Sequence, residues 1–158
     1  MNKVFFSAVV ILGLSSPLAS AKFGRKLNTK FDRADINSDN MLTEIEFQGT
    51  QNKGMSVAFC RFRFRATDTN NDTFVSREEF IASRGGNTQG KPNRADLFVL
   101  ADQNDDDVLD ISEYGDTLGP RTAAARVLKS FGKRDKDSSG GLTPREFGIG
   151  NGFPFPFG

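Results

Sequence analysis

The sequence predicts an all-α chain built from four repeated helix–loop–helix units. Three observations carry this. A twelve-place acidic pattern, with aspartate first and glutamate last, starts at Asp35, Asp68, Asp102 and Asp135. These starts lie 33 or 34 residues apart, the mark of an internal repeat. Each pattern also has aromatics at fixed offsets on both sides and closes on a helix-start signature.

Residues 1–21 come first and are set apart from the repeats. Lys3 supplies a positive start, Val4 to Leu14 an apolar run, and Ala19-Ser20-Ala21 a small-x-small cleavage site. This reads as a secretory signal peptide cut after Ala21. The apolar run is well short of the roughly 18–20 residues that a membrane-spanning helix needs. The expected location is therefore the periplasm or the extracellular medium, with no transmembrane segment left after cleavage. Cys60, the only cysteine, has no partner for an internal disulfide and is read as core filling.

Residues 22–84 hold the first two units and residues 93–150 the last two. Four places before each first aspartate stand Phe31, Phe64, Phe98 and Phe131. Eight places before stand Leu27, Cys60, Arg94 and Val127, on the same helical face. Arg94 breaks this stripe, and Leu97 is expected to take over its contact. Immediately after the closing glutamates come Phe47, Phe80, Tyr114 and Phe147. Thr43, Ser76, Asp110 and Thr143 each precede a glutamate by three places, the capping-box spacing that starts a helix. Pro144 suits a first helical turn, where its missing N–H costs nothing. Between the halves, Gly85 to Pro92 (GGNTQGKP) reads as a flexible joint, and Asn93 as the N-cap of the next helix.

These loops resemble those of the calmodulin-like EF-hand superfamily, and the resemblance covers nearly all the chain after the leader. It implies calcium binding, with up to four ions, through side chains 1, 3, 5, 9 and 12 and the carbonyl of residue 7. Loop one would then use Asp35, Asn37, Asp39, Met41, Thr43 and Glu46. Loop two would use Asp68, Asn70, Asp72, Phe74, Ser76 and Glu79. Loop three would use Asp102, Asn104, Asp106, Val108, Asp110 and Glu113, and loop four Asp135, Asp137, Ser139, Gly141, Thr143 and Glu146. The resemblance also implies two paired lobes. Within each, place 8 of one loop (Leu42, Val75, Leu109, Leu142) meets its counterpart as a short antiparallel strand.

The four loops differ in ways that bear on affinity. Loop three has the most carboxylates and is expected to bind most tightly. Family members place glycine at position 6, where the backbone needs a positive φ; only Gly140 keeps it, with Asn40, Thr73 and Asp107 elsewhere. The β-branched Thr73 should cost on the order of 1–2 kcal/mol, which makes loop two the expected weakest. The run Arg61, Arg63, Arg65 reads as a solvated face. Lys and Arg total 21 against 20 Asp and Glu, so the ion-loaded form would be strongly cationic and drawn to anionic partners.

Composition narrows the function. There is no histidine and no tryptophan, so the commonest general base and zinc ligand are both missing. No enzyme activity and no nucleic-acid binding are expected. The expected function is an exported calcium-binding protein acting as sensor, adaptor or buffer, with a protein target met through an apolar groove. The alternatives are a calcium-stabilised structural module and a lanthanide binder resembling lanmodulin. The last lacks support at loop position 2, where Ile36, Thr69, Gln103 and Lys136 stand in place of proline. Residues 151–158 form a Phe/Pro tail with Phe153, Phe155 and Phe157. Two readings stay open for it, a disordered end or a segment docked in that groove.

Overall fold

The computed structural model describes residues 17–87 and 90–150, over which the chain is mainly helical with one small two-stranded sheet. The first helix, α1 (Pro17–Ala34), runs through the cleavage position expected after Ala21. Residues 1–16 of the expected leader and the whole 151–158 tail lie outside the described residues.

The first half continues with β1 (Met41–Leu42), α2 (Glu44–Thr50), α3 (Val57–Thr67), β2 (Val75–Ser76) and α4 (Arg77–Ala82). The second half holds α5 (Arg94–Ala101), α6 (Ile111–Asp116), α7 (Ala124–Arg134) and α8 (Pro144–Phe147). Four of these helices start where the sequence says. Thr43, Ser76, Asp110 and Thr143 all cap α2, α4, α6 and α8, each forming a reciprocal capping box with its glutamate. Asn93 caps α5 and adds a box with Asp96. Each such cap is worth about 1 kcal/mol and fixes where the helix begins, while packing of the aromatic that follows sustains helices this short. Helix α8 stops after four residues, where Gly148 turns left-handed at φ 94°.

Place 8 of each loop does meet its counterpart. Leu42 pairs with Val75 in the antiparallel β1–β2 ribbon, and Leu109 and Leu142 exchange N–H···O=C bonds of 2.9 and 2.8 Å. All four side chains are fully buried. The flanking aromatics form two cores. In the first, Phe47 meets Phe64 and Phe80 edge-on, and Phe31 meets Phe80 in the same way. In the second, Phe147 stands edge-on to Phe98 and Tyr114, and Tyr114 to Phe131. Burying each of these rings contributes about 1.5–3 kcal/mol. Leu97 packs against the second core, as expected from Arg94's position, while Arg94 reaches the Gly148 carbonyl at 3.4 Å.

The two cores share one helix. Ala58 of α3 belongs to the second core and Phe64 of the same helix to the first. The start of the expected joint is also packed. Gly85 donates to the Phe80 carbonyl at 2.7 Å, and both Gly85 and Gly86 are buried. A side chain on Gly86, at φ 77°, would run into the Phe47 ring. These glycines serve close packing as well as turning.

Candidate metal centre

All four acidic loops fold the same way, around their own carboxylates. The first aspartate accepts from two backbone N–H groups, those of places 5 and 6. For Asp35 these are Asp39 at 3.2 Å and Asn40 at 3.0 Å, and for Asp135 they are Ser139 at 3.0 Å and Gly140 at 3.1 Å. Asp68 and Asp102 repeat the arrangement with Asp72 and Thr73, and with Asp106 and Asp107. The oxygen at place 3 (Asn37, Asn70, Asn104 or Asp137) also accepts the place-5 N–H, at 3.0–3.1 Å. In the first three loops the place-5 aspartate accepts from place 7, whose residues are Met41, Phe74 and Val108. Loop four departs here: Ser139 instead donates its hydroxyl to the Gly141 carbonyl at 3.2 Å.

The closing glutamate reaches back across each loop. Its Oε1 accepts the N–H of place 2, at 3.0 Å from Ile36, 2.9 Å from Thr69, and 3.0 Å from both Gln103 and Lys136. Its Oε2 accepts the N–H of the cap residue, at 2.9–3.0 Å in every loop. One carboxylate thus ties the loop's start to the first turn of the next helix. Burial pushes the Glu79 carboxyl up, but hydrogen bonds from the N–H and hydroxyl of Ser76 and of Thr69 outweigh it and hold it down at about 2. Asp102 goes the other way: burial raises it, and the neighbouring charges of Glu113 and Asp106 add to the rise.

The positive φ expected at place 6 is present in all four loops, at Asn40 (63°), Thr73 (71°), Asp107 (61°) and Gly140 (86°). Thr73 is therefore a β-branched residue in the left-handed region. A second positive φ at place 4 was not anticipated: Ser38 (60°), Asn71 (59°), Asp105 (54°) and Ser138 (59°). The signal was present, because only Ser, Asn or Asp occupies that place, and short polar residues tolerate this conformation best.

Among the described residues, Asp135, Asp137 and Glu146 bring three carboxylates within 4.8 Å of one another, a cluster that could hold a metal ion. It lies in loop four, not in loop three, which has more carboxylates in sequence. The difference lies at place 3, where loop four has Asp137 and the other loops an asparagine, whose amide oxygen is a neutral donor. The donor set fits a hard divalent cation: places 1, 3, 5, 9 and 12 all carry side-chain oxygen, and place 7 would use its backbone carbonyl.

The arginine run on α3 corrects an expectation. Arg65 is exposed, but Arg61 and Arg63 are not a solvated face. Arg61 is drawn inward by Glu44, Asp116 and the Leu100 carbonyl. Arg63 lies 5.2 Å from the centroid of the Phe59 ring and donates to Gln51 at 3.2 Å. Alternation along the helix turned two of the three toward neighbouring elements. Arg77 was likewise missed: it stacks on Phe31 at 4.4 Å and binds Asp32 at 2.6 Å and Asn40 at 3.0 Å, bracing loop one from α4.

No protein-family model matches the chain, and no curated protein matches it. Among solved structures, it is similar to caltubin from the great pond snail, at 16% identity and a TM-score of 0.37, covering 81% of this chain and 93% of that one. It is also similar to a redox protein from Chlamydomonas reinhardtii, at 18% identity and a TM-score of 0.33, covering 85% of this chain and 49% of that one. The chain thus spans about half the length of the second protein. Similarities this weak assign no function.

Proposed function

We propose that this chain is an exported EF-hand protein that binds calcium, up to four ions, as a sensor, adaptor or buffer and not as an enzyme. The observation that supports it is the recurrence, in four loops, of one hydrogen-bond scheme built around acceptor oxygens at places 1, 3 and 12. In loop three Asp102, Asn104, Asp106, Asp110 and Glu113 would hold the ion with the Val108 carbonyl, and the other loops would use the corresponding residues. A bound ion would supply positive charge to carboxylates that otherwise share backbone N–H groups. The closing glutamate would then couple occupancy to the first turn of α2, α4, α6 or α8, because it already bonds both ends of its loop.

A target could lie against an open cavity of about 580 Å³ between α1 and α2, beside the exposed Ile36 and Ile45. A second reading, a calcium-stabilised structural module, is favoured by α3. One helix committed to both cores leaves little room for the helix reorientation that a sensor uses.

Calorimetric titration of chelator-stripped protein with calcium, magnesium and a lanthanide tests the proposal. Saturable calcium uptake, reduced by one site in each of E46Q, E79Q, E113Q and E146Q, is the expected result. No uptake at millimolar calcium overturns it. Apolar-dye binding that rises with calcium separates sensor from structural module.

A further inference from the structure

The cations that the loops do not use are unevenly placed. Lys30 of α1, Arg63 of α3 and Arg84, just after α4, line one cavity of about 420 Å³, with Gln51, Asn52 and Asn87 also on its wall. Among the described residues no carboxylate lines it, and none of the three cations forms an ion pair. Arg63 Nε is buried without any hydrogen-bond partner, although a buried guanidinium N–H normally has one. Burial, and then the charge of Arg63, pull the Lys30 ammonium below its usual range, so the two cations feel each other without a counter-ion. The wall is mainly polar, which suits a hydrated anionic group better than an acyl chain.

We infer that this cavity is a binding site for a phosphate-type oxyanion, either inorganic phosphate or the phosphoryl group of a small phosphomonoester. The guanidinium groups of Arg63 and Arg84 and the Lys30 ammonium on one wall match the acceptor oxygens of such a group, and charge-assisted bonds of this kind are the strong ones. The side-chain amides of Asn52 and Asn87 offer further donors, whereas Gln51 spends its amide N–H groups on Thr50 and the Gly85 carbonyl. None of the residues lining it belongs to an acidic loop.

The test is phosphate binding to the chelator-stripped chain in low-chloride buffer, followed by calorimetry and by thermal melting. The expected result is saturable binding with a rise in Tm, and affinity about ten-fold weaker in K30Q and in R84Q, at residues that are exposed overall and belong to neither core. The Arg63 Nε–H resonance should shift on phosphate addition, a readout that does not depend on any variant folding. O-phosphoserine should compete with phosphate if the site takes monoesters, whereas acetate should compete poorly. Binding equally strong in both variants, an unmoved Arg63 resonance, or binding only to phosphatidylglycerol vesicles would overturn the assignment. Calcium titration of K30Q and R84Q should match that of the parent chain, so failure here leaves the calcium proposal standing, and the reverse holds.

Discussion

Arg61 Nε donates to Glu44 Oε1 at 2.8 Å, joining the middle of α3 to the first turn of α2. The same guanidinium donates to the Leu100 carbonyl at 2.9 Å and lies 3.5 Å from Asp116, which also accepts from Gln103 at 3.2 Å. One side chain therefore touches both halves of the molecule. Exchanging it for methionine keeps the stem and removes the charge. Glu44 is exposed enough for its share to be small, so the cost falls on Asp116 and the Leu100 carbonyl, about 1–3 kcal/mol together. Calorimetry of R61M should show a lower Tm and a broader or divided transition. A single unshifted transition would remove Arg61 from any role in joining the halves.

Thr73 carries a φ of 71°. Replacing it with glycine removes a β-branched penalty of about 1–2 kcal/mol, against a smaller entropic loss. T73G should be more stable than the parent even without metal, by up to about 1 kcal/mol in urea melts. Under the calcium proposal, site-two affinity should rise by up to about ten-fold.

Cys60 is buried, and that burial pushes its thiol up to about 11, with Glu44 adding to the rise and Arg63 opposing it. An acid whose folded pKa is raised contributes stability that is fully present below the unfolded value, 9.0, and is lost as pH rises toward 11. Melts between pH 8 and 11 should therefore fall more steeply for the parent than for C60A. Thiol reagents should react slowly with the folded chain at pH 8, and urea should release that reactivity.

Phe47 is fully buried between Phe64 and Phe80. Truncation to alanine should cost about 3–5 kcal/mol. F47A should lose near-UV signal from the first core before the second, followed through Tyr114 fluorescence in the other core. Simultaneous loss of both signals would mean that the halves unfold as one unit.

Much of this was legible because the signals are local. A capping box needs four consecutive residues, so Thr43 and Glu46 announce α2 without knowledge of anything else. The place-8 residues follow from loop register, and Leu42 does meet Val75. What stayed hidden depends on partners far away in the chain. The same arginine spacing on α3 fits a solvated face or a junction, and only the arrival of Leu100 and Asp116 decides for Arg61. Arg77 is hidden for the same reason, since its partners Phe31, Asp32 and Asn40 come from an earlier unit. Loop three is richest in acids by count, yet the tight carboxylate trio lies in loop four, because position outweighs number.

Helix α3 plants its two ends in different aromatic cores, Ala58 in one and Phe64 in the other. A dumbbell whose weights share a bar cannot fold at the middle. Pulling on the chain should therefore strain both ends of this helix together, and a cleavage between residues 88 and 89 should leave two fragments that stay associated through it.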